Sequence, residues 1–252
     1  MIGDQWYINT NESIYHSTVT PHSLLRIRSV TPHSLRMLHI EYLLPIVAFW
    51  HTIAAEIQKH KQHTGVINNI VSAIHCSLYV IQYHYTHSDK SAMNYTIHVS
   101  VGFYIFDLIY FLRFIYDAIR TRRKPSHIHL VYVFHHILAI YLITDAIVSE
   151  YSDILLRCYY LVELSNLTLY VCYHIRKEYP THKQVIILFD IFHLLWYSYF
   201  RVIQTSILFY DNIASFLEYH FAGQFGLVTI YVMGVAWTFI LAKNTIAKCL
   251  SM

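Results

Sequence analysis

Seven stretches of about 20 mostly apolar residues follow one another along this chain, and they constrain its fold more than any other feature. A bilayer has a hydrocarbon core about 30 Å thick, which a helix of about 20 residues can cross. We therefore predict an all-α fold, a polytopic transmembrane helical bundle of six to seven spans. The predicted segments are 38–57, 66–85, 95–116, 127–147, 153–174, 184–210 and 220–242.

The composition supports this class and excludes several others. The chain is 56% hydrophobic and only 13% charged, which is too apolar for an ordinary soluble domain. A transmembrane β-barrel would show short alternating strands instead of long apolar runs. The four cysteines are scattered without paired spacing, so we predict no metal site from them.

The positive charges fall in alternate loops, which predicts a topology. Basic loops lie on the cytosolic side of a membrane. This rule puts in the cytosol the loops after the first, third and fifth segments and the C-terminal end. Their basic residues are Lys59, Lys61, Arg120, Arg122, Arg123, Lys124, Arg176, Lys177, Lys183, Lys243 and Lys248. The small net charge of +3 fits a topology signal and predicts no nucleic-acid partner.

The chain divides into a short arm and a membrane domain. Residues 1–37 are polar and irregular, and they lack the pattern of a cleaved signal peptide. Residues 38–252 form the predicted membrane domain. Its first segment is the weakest candidate span, because Glu41, His51 and Glu56 interrupt it.

Polar residues of several segments fall at one depth in the membrane. Counting about 1.5 Å per residue places them roughly 12–15 Å from a membrane boundary. They are Asp107 in the third segment, His135 and His136 in the fourth, Glu163 and Asn166 in the fifth, and His193 in the sixth. Such residues either tie helices together by hydrogen bonds or line a cavity, and the number at one depth favours a cavity.

Three arginines fall near the predicted boundaries. Arg157 and Arg201 lie toward the luminal boundary and Arg113 toward the cytosolic one. Long basic side chains at such places reach to the membrane surface. His193 also has partners on its own helix face, because Asp190 and Tyr197 lie one turn away on either side.

Four motifs in order carry a family resemblance: GFYIFDLIY at 102–110, FHHILAIYL at 134–142, LVELSN at 161–166 and YFRV at 199–202. Together they resemble the TLC-domain family, which includes ceramide synthases, translocating-chain-associated membrane proteins and smaller TLC-domain lipid proteins. The resemblance covers about residues 66–242. It implies a bundle of six or seven helices in the endoplasmic reticulum that encloses a cavity for lipid chains.

The resemblance also implies a chemistry. In ceramide synthases a histidine pair and nearby acidic residues serve N-acylation of a sphingoid base by acyl-CoA. His135 and His136 match that pair, and Asp107 matches the aspartate of the preceding motif. The next motif departs, because this chain has Glu163-Leu-Ser-Asn where ceramide synthases carry H-D-x-x-D. The E-L-S form resembles the smaller TLC-domain proteins.

Three functions are compatible with these residues, and whether the chain is an enzyme stays open at this stage. The first is acyl transfer from acyl-CoA to a sphingoid or other lipid acceptor, with His135, His136, Asp107 and Glu163 as catalytic residues. Substrate-binding residues would be Asn166, His193, Tyr197 and Arg201. No metal and no cofactor is predicted, acyl-CoA being a co-substrate.

The second function is a non-enzymatic lipid sensor or regulator of membrane phospholipid composition. The third is a membrane di-iron hydroxylase or desaturase, suggested by the 19 histidines. Its candidate ligands, His84 with His87 and His127 with His129, are poorly spaced for a shared iron site.

Overall fold

A computed structural model of the chain describes residues 40–61, 64–87, 89–124, 127–148 and 152–250. The described residues form helices connected by short turns, with no strand among them. The predicted arm at 1–37 lies outside the described residues. The helices are α1 (Ile40–Gln58), α2 (Thr64–Thr86), α3 (Lys90–Arg120), α4 (His127–Val148), α5 (Ser152–Glu178), α6 (Lys183–Ser198), α7 (Thr205–Asp211), α8 (Ile213–Glu218) and α9 (Phe221–Leu250).

Five helical stretches are long and apolar enough to cross a membrane, which fits a multi-pass membrane protein. They are Gly65–Thr86, Ser91–Arg120, His127–Ile147, Lys183–Asp211 and Phe221–Leu250. The predicted first and fifth segments are helical too, as α1 and α5, but they are not among these five. The all-helical class is therefore confirmed, whereas the count of six to seven spans stays a prediction.

The ends of the helices meet in two groups. At one end, Lys61 after α1 pairs with Glu178 of α5 at 3.1 Å. There too, Asp190 of α6 accepts hydrogen bonds from Arg176 of α5 and, at 2.5 Å, from Lys248 of α9. We call this the basic end.

At the other end, Asp145 of α4 accepts hydrogen bonds from Tyr219 and, at 3.0 Å, from His220, both just before α9. Near the start of α5, Tyr160 stacks on Tyr83 of α2 with ring centroids 4.6 Å apart. α5 therefore runs from the end of the bundle where α4 finishes to the basic end, where α6 begins.

Local sequence explains where several helices begin and end. Asp89 caps α3 by accepting from the backbone N–H of Ser91 at 2.9 Å and of Ala92 at 3.3 Å. At the other end of α3, Arg122 takes a left-handed conformation with φ of 55°, and Arg123 N–H reaches back to Ala118 at 2.8 Å. Pro180 follows α5 closely and prevents its continuation.

The sixth predicted segment is one long helix with an internal break. Residues Tyr199–Gln204 form a π-helical turn between α6 and α7. Such a turn inserts an extra residue and rotates the next part of the helix, and π-turns in helices are frequent at functional sites. This turn contains Arg201, which the counted depth placed near the luminal boundary.

Two buried apolar clusters meet along α4 and α5. One is built around Trp50, Val71, Tyr79 and Ile97, and the other around Leu142, Cys158, Leu227 and Ile230. Trp50 of α1 is fully buried, and its Nε1 donates to the carbonyl of Val99 in α3 at 3.2 Å. α1 is thus an integral part of the bundle.

The close approach of α1 to α3 gives a first prediction. A Cβ added at Gly102 would lie 2.4 Å from Cγ2 and 3.0 Å from Cβ of Ile46. We expect Gly102→Ala to lower the free energy of unfolding by about 1–3 kcal/mol, because overpacking forces the two helices apart. Thermal unfolding of the full chain in detergent measures this.

Gly65→Ala is the matched control, since its Cβ would meet only the terminal hydroxyl of Tyr173, at 3.2 Å. That hydroxyl sits at the tip of a long side chain and can give way. Equal unfolding temperatures for the two variants would contradict close α1–α3 packing.

Candidate functional site

A cavity of about 210 Å³ lies inside the bundle, and polar side chains from α2 to α6, together with Arg201 of the π-turn, line it. We call it the polar cavity. All eight residues that the sequence predicts for the site line its wall: Asp107, His135, His136, Glu163, Asn166, His193, Tyr197 and Arg201. The structure thus brings together residues from four separate stretches of the chain. Their roles in catalysis and substrate binding stay predictions.

His136 is held on both ring nitrogens. Its Nε2 lies 2.7 Å from Oδ2 of Asp107 on α3, and its Nδ1 lies 2.6 Å from the backbone carbonyl of Tyr132. A carbonyl oxygen only accepts, so Nδ1 carries a hydrogen. The remaining proton is shared between Nε2 and the carboxyl group, either as imidazolium and carboxylate or as the neutral pair. In both forms, His136 has no free lone pair for chemistry.

His135 is in the opposite situation. Its Nδ1 is buried and has no hydrogen-bond partner in the described part of the chain, and its ring lines the polar cavity. The two histidine rings stand nearly perpendicular, with centroids 5.6 Å apart. Of the tandem pair, His135 is therefore the ring available to a ligand, and His136 is the ring fixed to the bundle.

Glu163 has a different partner from the histidines. Tyr104 of α3 donates its hydroxyl to Oε1 of Glu163 at 2.6 Å, and both side chains are buried. The sequence predicts both Asp107 and Glu163 as catalytic acids beside the histidines, and the structure shows which of them contacts an imidazole ring. Asp107 makes this contact, and Glu163 lies across the cavity on α5.

His193 bonds to a neighbouring helix. Its Nδ1 lies 2.7 Å from the hydroxyl of Thr168 on α5. The suggestion that Asp190 satisfies His193 within its own helix is wrong, because Asp190 binds Arg176 and Lys248 instead. Tyr197 keeps an edge contact with the His193 ring, at 5.7 Å between centroids.

Arg201 lies deeper than the sequence suggested. Its side chain is 6% exposed and lines the polar cavity, so the expectation that it reaches the membrane surface is wrong. Helical side chains lean toward the N-terminus of their helix, which here points the arginine back into the bundle. Arg157, by contrast, is exposed, and its Nε lies 3.7 Å from Oδ2 of Asp153.

Buried polar atoms without partners are concentrated around this cavity. Of the eight described residues that carry such atoms, five line the polar cavity: Asn68, Asn69, Asp107, His135 and Arg201. Buried polar groups in folded proteins almost always have partners, so each exception calls for an explanation. Their convergence on one space indicates a site built to receive a polar ligand group.

A second, apolar cavity of about 30 Å³ adjoins the first. Its wall is formed mainly by aliphatic side chains of α4, α5 and α9, including Leu142, Leu155 and Ile230. Tyr104 and His135 line both spaces. His135 therefore stands where a polar cavity meets an apolar one.

Several lining residues were missed by the sequence analysis. Tyr104 had a signal, because it precedes Asp107 by one helical turn and so shares its face. Asn68, Asn69 and Trp237 had none, since they lie outside the depth at which polar residues were sought.

The histidines considered for a di-iron centre do not converge. His84 and His87 lie at the end of α2, whereas His127 and His129 lie at the start of α4, at the opposite end of the bundle. Within the described ranges, no three histidine, cysteine, aspartate or glutamate side chains are placed to hold a metal ion. The absence of a cofactor stays a prediction.

Comparison of the chain with models of known protein families, with curated proteins and with solved structures gave no match. The resemblance to the TLC-domain family stays a prediction.

The geometry of the tandem histidines gives a second prediction. Diethyl pyrocarbonate acylates unprotonated ring nitrogens, so we expect His135 to be modified faster than His136. Site-resolved mass spectrometry of the labelled full chain measures both rates on one peptide.

Asp107→Asn provides the internal control. This substitution removes the carboxyl group that shares the His136 proton, and we expect the rate at His136 to rise while that at His135 stays within about twofold. Equal rates at the two histidines in the unaltered protein would contradict the assignment.

Proposed function

We propose that this protein is a multi-pass membrane enzyme of lipid metabolism that transfers an acyl group from acyl-CoA to a lipid acceptor. The observation that carries the proposal is the position of His135. Its Nδ1 has no hydrogen-bond partner among the described residues, and its ring lies on the wall shared by a polar and an apolar cavity. Acyl transfer needs a proton acceptor close to apolar surroundings that suit an acyl chain, and His135 lies at such a boundary.

The proposed step uses His135 as general base. The acceptor amine or hydroxyl attacks the thioester carbonyl while His135 takes its proton, and a tetrahedral intermediate forms. The C–S bond then breaks, and the thiolate leaves and recovers the proton from the imidazolium. The products are an amide or ester and the free thiol, so protons and electrons balance.

The neighbouring pairs position the groups around His135. The His136–Asp107 pair ties α4 to α3 and sets the direction of the adjacent ring. Tyr104 and Glu163 hold α3 against α5 across the cavity. Fixed dipoles in a space sheltered from water act strongly on charge that develops in a reaction.

The sequence supports acyl-CoA as the donor. The motifs around Asp107, His135 and Glu163 resemble those of TLC-domain proteins, whose ceramide synthases use this donor. Exposed cationic residues, among them Arg120, Arg123 and Lys124, cluster where α3 ends and α4 begins. Phe111 and Tyr132 extend the polar cavity wall toward that end, where phosphates of a donor would meet positive charge. The resemblance also suggests the endoplasmic reticulum.

The contacts at the helix ends support α5 as a sixth span beside the five long apolar stretches. α5 connects the end of α4 to the start of α6, which lie at opposite ends of the bundle. If α4 and α6 cross the membrane, α5 has to cross it too. Polar residues such as Glu163, Ser165 and Thr168 lower the mean hydropathy of α5. These three side chains are buried, so other helices shield them from lipid.

One observation favours the second candidate, a lipid sensor without chemistry. The polar cavity, at about 210 Å³, is smaller than the 300–1,000 Å³ of common small-molecule sites. Such a space suits one head group more easily than a donor and an acceptor together. A sensor would bind lipid at this site and release it unchanged.

Activity of the full chain tests acyl transfer. Purified protein is incubated with radiolabelled oleoyl-CoA and a panel of sphingoid and glycerolipid acceptors. We expect His135→Ala to lower product formation by at least about 100-fold, the usual contribution of a general base. Because His136 positions rather than reacts, we expect a smaller loss for His136→Gln.

His84→Gln is the matched control, since this exposed histidine lies at the end of α2, away from the cavity, and we expect full activity there. Product formation by His135→Ala at the rate of the control variant would rule out His135 as the general base. Lipid binding by the unaltered protein without any product would favour the sensor.

Cysteine accessibility tests whether α5 crosses the membrane. In a Cys249→Ser background, the remaining cysteines are buried. We expect Arg122→Cys and Thr181→Cys to react alike with an impermeant maleimide on sealed, cytosol-out microsomes, because both turns lie at one end of the bundle. Asn212→Cys should react only after permeabilisation. Labelling of the Arg122 and Thr181 positions from opposite sides would rule out a spanning α5.

A further inference from the structure

Arg201 is a cation buried inside the bundle. Its side chain is 6% exposed, and neither Nε nor Nη1 has a hydrogen-bond partner in the part of the chain that the structure describes. Burying an unpaired charge is costly in free energy, and buried arginines normally bind a carboxylate or a phosphate. Such a side chain on a cavity wall indicates an anionic ligand.

The surroundings show that this position is shaped for the arginine. Arg201 lies in the π-turn, which changes the helix register where the side chain enters the cavity. On the facing helix α9, a Cβ at Gly234 would lie 2.7 Å from Cγ of Arg201 and 3.1 Å from Nε. The Tyr197 ring supports the guanidinium from one side, with its centroid 5.8 Å from Cζ.

The acids on the cavity wall are engaged elsewhere. Asp107 bonds to His136, and Glu163 accepts from Tyr104. Among the described residues neither lies within ion-pair distance of Arg201, although Glu163 is close enough to interact with its charge electrostatically. A bound oxyanion would supply acceptors for the guanidinium donors, and such charge-assisted bonds are about twice as strong as neutral ones.

We propose that Arg201 binds the anionic head group, a phosphate or a carboxylate, of a single-chain lipid held in the polar cavity. The apolar helices around the polar cavity, which are apolar enough to cross a membrane, argue for a lipid rather than a soluble anion. The small polar cavity argues for the head group alone as its occupant. The proposal goes beyond acyl transfer, because it concerns the permanent negative charge of the ligand's head group. Ligand binding without turnover measures it.

Binding of lipids with one chain and different head groups tests this proposal. Isothermal titration of the full chain in uncharged detergent compares oleate, oleoyl lysophosphatidic acid, neutral mono-oleoylglycerol and inorganic phosphate. We expect both anionic lipids to bind at least about tenfold more tightly than mono-oleoylglycerol, and inorganic phosphate to bind weakly. Arg201→Gln should remove that preference while leaving mono-oleoylglycerol affinity unchanged.

Two further variants make the test specific. Gly234→Ala should weaken the preference for anionic lipids, because the added methyl group displaces the arginine. It tests the same site if Arg201→Gln does not fold. Arg157→Gln, which removes an exposed arginine outside the cavity, should keep the preference.

Each contrary result overturns a stated part of the proposal. Equal affinity of the unaltered protein for anionic and neutral lipids removes the anion site. Inorganic phosphate binding as tightly as the lipids removes the lipid. If Arg201→Gln keeps every affinity but slows acyl transfer, the arginine stabilises an oxyanion that forms during the reaction and does not bind the ionised head group of a lipid. The two binding outcomes are independent of whether the protein transfers acyl groups.

Discussion

The structure depends on the pairing of polar groups inside an apolar helical bundle. Between helices surrounded by lipid there is no water to satisfy a buried imidazole or carboxylate, so most of them bond to a partner on another helix. His136 with Asp107 joins α4 to α3, Tyr104 with Glu163 joins α3 to α5, and Thr168 with His193 joins α5 to α6. These three bonds connect neighbouring helices around the cavity.

The tandem histidines show how one helix serves two purposes. Successive residues of an α-helix point about 100° apart, so neighbouring side chains cannot face the same partner. His136 faces α3 and is fixed by Asp107 and by its own backbone turn, whereas His135 faces the cavity. One ring therefore stabilises the bundle, and the other remains available because its neighbour is held.

Arg201 places a positive charge inside the same bundle. A regular helix would carry its side chain on a different face, and a side chain at position 234 would occupy its space. The π-turn, the glycine and the Tyr197 ring together bring a cation into the interior, although the cavity acids already have other partners. Features that are costly for stability are retained where a ligand compensates them. The π-turn in the sixth segment thus places the positive charge where the proposed ligand carries a negative one.

The sequence by itself determined the helical class and the approximate limits of the segments, because hydrophobic run length is a local property. The helices extend beyond the apolar runs, for example α3 over Lys90–Arg120 where 95–116 was predicted, since backbone hydrogen bonds continue into polar ends. It also placed Asp107, the two histidines, Glu163 and His193 at one depth, because rise per residue is constant. Only the tertiary structure decided the partners: Asp107 for His136, Thr168 for His193, and no hydrogen-bonding partner for Arg201 within the described chain. Partner choice depends on how each helix is rotated about its axis, and packing between helices distant in sequence sets that rotation.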